Sequence, residues 1–216
     1  MNNVLKSFAF EISLVKPYMK SIFFSLLVPI GFAIINRSLT SSVSFAMCFI
    51  AMTSSYTFSI SEKNGMERLY GVLPVTHSQF VVGKYLYMIL LGVFGLSFSI
   101  LTHSFALSLL SVAVTKQDIF MAILVGWFMF TLYIVFQIPG YYKLGAIRGR
   151  VFMYIPVLGF LITLFTLQQV DGSVFNSMGR VSQNEILLSA VLIVFSIICF
   201  AGSASISIKI VENKEI

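Results

Sequence analysis

Residues 81–112 read VVGKYLYMILLGVFGLSFSILTHSFALSLLSV, a run in which Lys84 is the only charged side chain. A helix crossing a bilayer takes roughly 20 apolar residues. The run is longer than one crossing needs, so it must tilt or continue past the membrane. Similar apolar stretches lie on both sides of it, at about 18–35, 43–60, 119–139, 151–167 and 186–208. The reading is therefore an all-α, polytopic membrane protein with six transmembrane helices and a single transmembrane domain over 1–216. Composition agrees. Of 216 residues, 58% are hydrophobic and 10% charged, with a mean hydropathy of +0.95. A soluble domain carries about 25% charged residues, so a soluble enzyme, a disordered chain and a secreted disulfide scaffold are all excluded. Cys48 and Cys199 sit inside apolar runs without redox or zinc spacing.

The first seventeen residues lack a small-residue cleavage site ahead of a long apolar core, so they do not read as a signal peptide. Leu5, Phe8, Ile12 and Val15 recur at helical spacing, with Lys6, Ser13 and Lys16 on the other side. That pattern predicts an amphipathic helix over 1–17 lying in the membrane interface, ended by Pro17.

The net charge is +6, and its distribution orients the chain. Lys6, Lys16, Lys20, Lys63, Arg68, Lys84, Lys143, Arg148, Arg150, Lys209 and Lys214 fall on one side of the six spans, and only Arg37, Lys116 and Arg180 on the other. Lys and Arg accumulate on the cytoplasmic side, which predicts cytoplasmic N- and C-termini in a cell membrane. The basic residues form no clustered face with interleaved aromatics, so nucleic acid is not an expected partner.

Catalytic chemistry is not visible. Gly83-Lys84 resembles the end of a phosphate loop, but Ser78 occupies the position of the first glycine and Tyr85 that of the Ser or Thr. No metal-ligating cluster is evident; Glu62 and Glu67 lack accompanying histidines. No acid falls inside a span as drawn. His103 is the one titratable group there, about 28 Å along the helix from Lys84, and reads as a hydrogen-bonded residue near the outer edge. The chain is not expected to be an enzyme or to hold a cofactor or metal.

The longest cytoplasmic loop, 61–80, contains an Asn64-Gly65 turn signal, a short apolar-sided stretch Met66–Tyr70, Pro74, and Thr76-x-x-Gln79, a capping box that opens the next helix. A short amphipathic helix below the membrane suits a groove on a cytosolic partner.

Two stretches carry a family resemblance. Leu73-Pro74-Val75-Thr76 with Val82-Gly83-Lys84-Tyr85 resembles the LP-(V/I)-(S/T)…GKY segment of ABC-2 type permeases, the membrane subunits of ABC exporters in bacteria. Pro139-Gly-Tyr-Tyr-Lys143-Leu-Gly145-Ala-Ile-Arg148-Gly-Arg150 resembles a signature of the branch containing phenol-soluble modulin and antimicrobial-peptide exporters. His77 stands where the family often has Arg. The resemblance implies half of a dimeric path, a homo- or heterodimer of permeases. ATP and Mg would be bound by separate cytosolic ABC ATPase subunits. It implies that Glu62, Gly65, Met66, Glu67, Arg68, Leu69 and Tyr70 form the ATPase-coupling element. Lys143, Arg148 and Arg150 offer a second cytoplasmic contact, or simply anchor the positive side. The implied substrate is an amphipathic peptide, with lipids or hydrophobic drugs as alternatives. Most of the 22 Phe and 10 Met pack against lipid and other helices. Tyr56, Phe58, Phe94 and Phe98 are the candidate cavity residues, since soft apolar surfaces accept irregular partners. The competing class is a non-transport membrane protein, an assembly or sensor module; an adjacent gene for a phosphate-loop ATPase separates the two.

Overall fold

The computed structural model describes residues 3–65, 76–156, 158 and 185–214. Every regular element among them is helical: α1 (Asn3–Val15), α2 (Met19–Ser25), α3 (Val28–Asn36), α4 (Leu39–Thr53), α5 (Ser55–Lys63), α6 (His77–Leu109), α7 (Lys116–Arg148) and α8 (Glu185–Glu212). Five stretches among the described residues are long and apolar enough to cross a membrane: 3–36, 39–63, 77–109, 116–156 and 187–212. The expected span at 151–167 lies almost wholly outside the described residues, as does the loop that follows it.

Helix starts follow local chemistry. Thr76 Oγ1 accepts the Gln79 backbone N–H and Gln79 Oε1 accepts the Thr76 N–H, so α6 opens on the expected capping box. Thr115 and Asp118 form a second one at the start of α7. Pro17 lies in a single 3-10 turn, Lys16–Tyr18, after which the helix resumes at Met19. Pro29 marks another interruption between α2 and α3. α6 has 33 residues, about 50 Å at 1.5 Å per residue; α7 is helical from 116 to a kink at Gly145, about 43 Å on the same rise. Both exceed the roughly 30 Å hydrocarbon core.

Helix α7 continues past Pro139, where the fourth span was expected to end, to a kink at Gly145 and then to Arg148. A proline inside a helix leaves the carbonyl four residues earlier without its donor. Here that carbonyl, on Val135, accepts the Ser203 hydroxyl of α8 at 2.9 Å. The neighbouring helix thus supplies the missing bond, as happens between membrane helices. Ser203→Ala is expected to lower the thermal midpoint of the purified protein, by about 1–2 kcal/mol in stability. An unchanged midpoint would show that Val135 finds another donor.

α7 is the hub, packed mainly against α4 and α8. Met47 and Ile50 of α4, Met88 of α6, and Phe130, Ile134 and Ile138 of α7 are essentially inaccessible. On α6 the outward stripe is Leu86, Leu90, Val93, Phe94, Leu101 and Phe105, and the inward one is Met88, Gly92, Gly95, Ser99 and His103. Large apolar groups face out and small or polar ones face in, because lipid tails reward packing rather than hydrophobicity.

Candidate functional site

The start of α6 gathers the helices at one end of the bundle. Successive helical residues point about 100° apart, and Gly83, Lys84 and Tyr85 each meet a different neighbour. Gly83 faces α1. A Cβ placed on it would lie 2.7 Å from Ser7 Cβ and 3.0 Å from the Phe8 backbone nitrogen, so only glycine lets the two helices come this close. Lys84 Nζ lies 3.3 Å from Glu11 Oε1 of α1, with both side chains buried. The ammonium also sits 3.9 Å from the centre of the Phe58 ring of α5, with Phe80 at 5.4 Å and Tyr142 at 5.8 Å. Aromatic faces attract a cation strongly once it is desolvated. Tyr85 turns to α8, its hydroxyl 2.6 Å from Ser203 Oγ and 3.0 Å from Ser207 Oγ. Ser203 spends its one proton on Val135, so Tyr85 donates to Ser203.

The buried face of α1 is Ser7, Glu11 and Val15. The apolar stripe read from the sequence is divided: Val15 is covered, while Leu5 and Ile12 stay exposed. Glu11 was not among the expected site residues. Its partner lies 73 positions away, and the only local hint is the four-residue spacing from Ser7 to Glu11 to Val15.

The end of α5 meets the end of α7 at the same place. Gly145 breaks α7 with φ 80° and ψ 176°, a conformation essentially confined to glycine. The helical turn that restarts after it exposes the Ala146 N–H, which donates to Glu62 Oε2 at 2.6 Å. The chain then turns through Gly149–Met153, and Phe152 lies over Gly140. The sequence stretch 139–150 is therefore a kinked return. Tyr141 and Tyr142 face in against Phe58 at 4.9 and 5.1 Å, while Lys143, Arg148 and Arg150 are exposed. Between these elements lies a cavity of about 60 Å³ lined by Phe58, Glu62, Lys84, Tyr142, Gly145 and Lys214, among others.

Of the expected coupling residues, Glu62 is exposed at the end of α5 and Gly65 follows with φ 59°. Met66, Glu67, Arg68, Leu69 and Tyr70 lie outside the described residues. Of the four candidate cavity residues, Phe94 and Phe98 come together. Phe98 meets Phe23 at 5.1 Å and stacks with Phe94 at 6.4 Å; Tyr56 stacks on Tyr18; Phe58 instead packs beneath Lys84. His103 is buried and hydrogen-bonded through Nδ1 to the Ser99 carbonyl of its own helix.

The family model of the ABC-2 family transporter proteins matches residues 4–212. The chain belongs to the ABC-2 transporter family. Its match spans nearly every described element, from α1 to the end of α8. No curated protein and no solved structure matches it. For an ABC-2 family protein with several apolar helices, a multi-pass membrane location follows. Membership also implies a permease subunit that works with an ABC ATPase and pairs with another permease in the membrane. Within this ABC-2 chain, the junction around Lys84 and Glu62 is where the segment before the 66–75 stretch and the one after it are tied to α1, α7 and α8.

Proposed function

We propose that this chain is the membrane subunit of an ATP-driven exporter of amphipathic or hydrophobic peptides, of the phenol-soluble modulin or antimicrobial-peptide kind. ATP and Mg bind a separate cytosolic ATPase, and this subunit neither binds nor hydrolyses nucleotide. The six-span topology, the interfacial setting of α1 and the cytoplasmic location of both termini belong to the same reading. The observation that carries it is the Glu62–Ala146 hydrogen bond beside the Gly65 turn. It ties Glu62, where the expected coupling residues begin, to the 139–150 return, so a push on one would reach the other. The exposed rings of Phe23 and Phe94, each against the half-buried Phe98, support an apolar or amphipathic substrate reaching the path from the bilayer.

The test is co-purification of the partner ATPase with parent, Glu67→Arg and Gly65→Val proteins, followed by ATP-dependent peptide uptake into inverted vesicles. Glu67→Arg is expected to fold and insert. It should lose ATPase recovery or peptide transport, because breaking a desolvated charge pair costs about 2–5 kcal/mol. Gly65→Val should do similar harm, since a β-branched residue resists positive φ. If both variants assemble and transport as the parent does, the loop is only a connector. Topology has its own check. Single cysteines at Ser173 and Lys214, in a chain lacking Cys48 and Cys199, are expected to label from opposite sides of intact cells. Labelling of both from outside would overturn the orientation.

A further inference from the structure

Two neighbouring spans are interrupted at the same depth. In the 39–63 span, Ser54 lies between α4 and α5 with φ −55° and ψ −29°, the values of a tightened turn. Its N–H bonds to the Ala51 carbonyl, three residues back, and the Ile50 carbonyl accepts the Thr53 hydroxyl at 2.6 Å. Hydroxyls that bond back to their own helix in this way tend to bend it. In α7 the interruption is Pro139, whose missing donor is replaced at Val135 by Ser203. The two interruptions face each other: the Ser54 hydroxyl donates to Gln137 Oε1 at 3.2 Å, and both residues are fully buried. We propose that Ser54 and Pro139 form one joint, on which α5 and residues 139–148 pivot as a single piece, and that Gln137 is the positioning residue that latches it.

Both sides of the joint are tightly held. On one side, a Cβ added to Gly126 of α7 would stand 3.2 Å from Val43 Cγ1 and 3.3 Å from Met47 Cγ of α4, and Met47, Ile50, Phe130 and Ile134 are inaccessible. Interiors this close-packed transmit strain rather than absorb it. On the other side, Phe58 lies 4.9 and 5.1 Å from the Tyr141 and Tyr142 rings, and Glu62 holds the Ala146 N–H at 2.6 Å. These ties make α5 and 139–148 one body. One contact of this body to α6, Phe58 beneath the Lys84 ammonium, is made by a side chain with four rotatable bonds that follows a small tilt.

The joint itself is polar and incompletely bonded. Gln137 Nε2 is buried without a partner among the described residues, and turning the amide over only exchanges which end is unpaired. A buried donor left unsatisfied disfavours the arrangement that strands it, so the latched form gains little over one in which the joint has opened. Two packed bodies meeting at a few residues that absorb the change is the geometry of a hinge. The expected coupling residues begin at Glu62, so movement of an ATPase would enter the bundle through this piece. That consequence rests on the permease reading above; the joint does not.

The experiment uses the full chain, lacking Cys48 and Cys199, purified into nanodiscs of phosphatidylglycerol and phosphatidylethanolamine. Pairs of nitroxide labels on introduced cysteines are read by pulsed electron paramagnetic resonance. The first pair, at the exposed Lys63 and Lys209, spans from the piece to α8, which is one helix from Glu185 to Glu212 and bonds to α7 at Val135, before the proline. The second pair, at Lys63 and the exposed Lys143, lies within the piece. The arm from Ser54 to Lys63 is about 14 Å, so a tilt of about 15° carries its end roughly 4 Å. In Gln137→Leu, which removes the latch and its stranded donor, the Lys63–Lys209 distance is expected to shift by about 4 Å or to gain a second population so displaced, while Lys63–Lys143 stays as in the parent. Ser54→Ala, which trims a single hydroxyl, should do the same and keeps the test decidable if Gln137→Leu does not fold. A Lys63–Lys209 distance that is unchanged in the folded variants overturns the joint. Equal broadening of both pairs overturns it too, since fraying rather than pivoting moves them alike. Either failure leaves the permease reading standing, because no ATPase takes part; that reading fails only on the co-purification and uptake test.

Discussion

Lys84→Met is expected to be among the most damaging single substitutions in this chain. It leaves the Glu11 carboxylate buried at 0% exposure with no cation, on the buried face of α1 that it shares with Ser7 and Val15. Removing one partner of a buried ion pair costs about 3–5 kcal/mol, comparable to much of a domain's total stability. The purified variant should unfold at a markedly lower temperature than the parent, with α1 becoming sensitive to protease first. Glu11→Met/Lys84→Met should recover most of the loss, because two linear apolar chains of similar length can fill the space without a stranded charge. Equal midpoints for Lys84→Met and the parent would mean that water or a lipid headgroup reaches Glu11, and that the pair is not sealed.

Gly145→Val should be the second severe change. At φ 80° and ψ 176° a β-branched residue is strained, and its Cβ would stand 3.3 Å from Glu62 Oε2. The chain can relieve this only by straightening α7, which withdraws the Ala146 N–H from Glu62. Backbone strain and the lost charged hydrogen bond together amount to about 3 kcal/mol. Thermal unfolding of the purified protein reads it directly. Gly145→Ala should follow the same direction more mildly. A Gly145→Val protein as stable as the parent would mean that the kink is not required to hold the return in place.

The sequence reading succeeded where the decisive chemistry is local. Apolar runs gave the all-helical, multi-pass character because length and charge depletion alone identify it. Thr76 and Gln79 gave the start of α6 because a capping box closes within four residues. The Leu73–Thr76 and Val82–Tyr85 stretch pointed to the ABC-2 family that the family model shows. It did not reach the junction, because each contact there is long-range. Lys84 counts as one more basic residue on the positive side until Glu11 is brought to it. Pro139 looks like a terminus until Ser203, 64 positions later, supplies a donor to Val135. The inward face of α6 escapes hydropathy for another reason. Both of its faces are apolar, and what distinguishes them is size: glycines at 92 and 95 against Phe130 and Ile50, leucines and phenylalanines outside. The 66–75 stretch, where most of the expected coupling residues lie, is outside the described residues.

The contact at Gly83 also gives α6 the proportions of a lever. It is one uninterrupted helix from its cap at Thr76 to Leu109, pressed against α1 at a point where the two backbones nearly touch. At 1.5 Å per residue, the short arm from Thr76 to Gly83 is about 10 Å and the long arm from Gly83 to Leu109 about 39 Å. If that contact serves as a fulcrum, a 1 Å stroke at the capped end sweeps the far end by about 4 Å, in the opposite direction. Stiffness of α6 between the two ends would then set the gain, and a proline introduced at Leu96 would cut the stroke delivered to the other face without touching the junction.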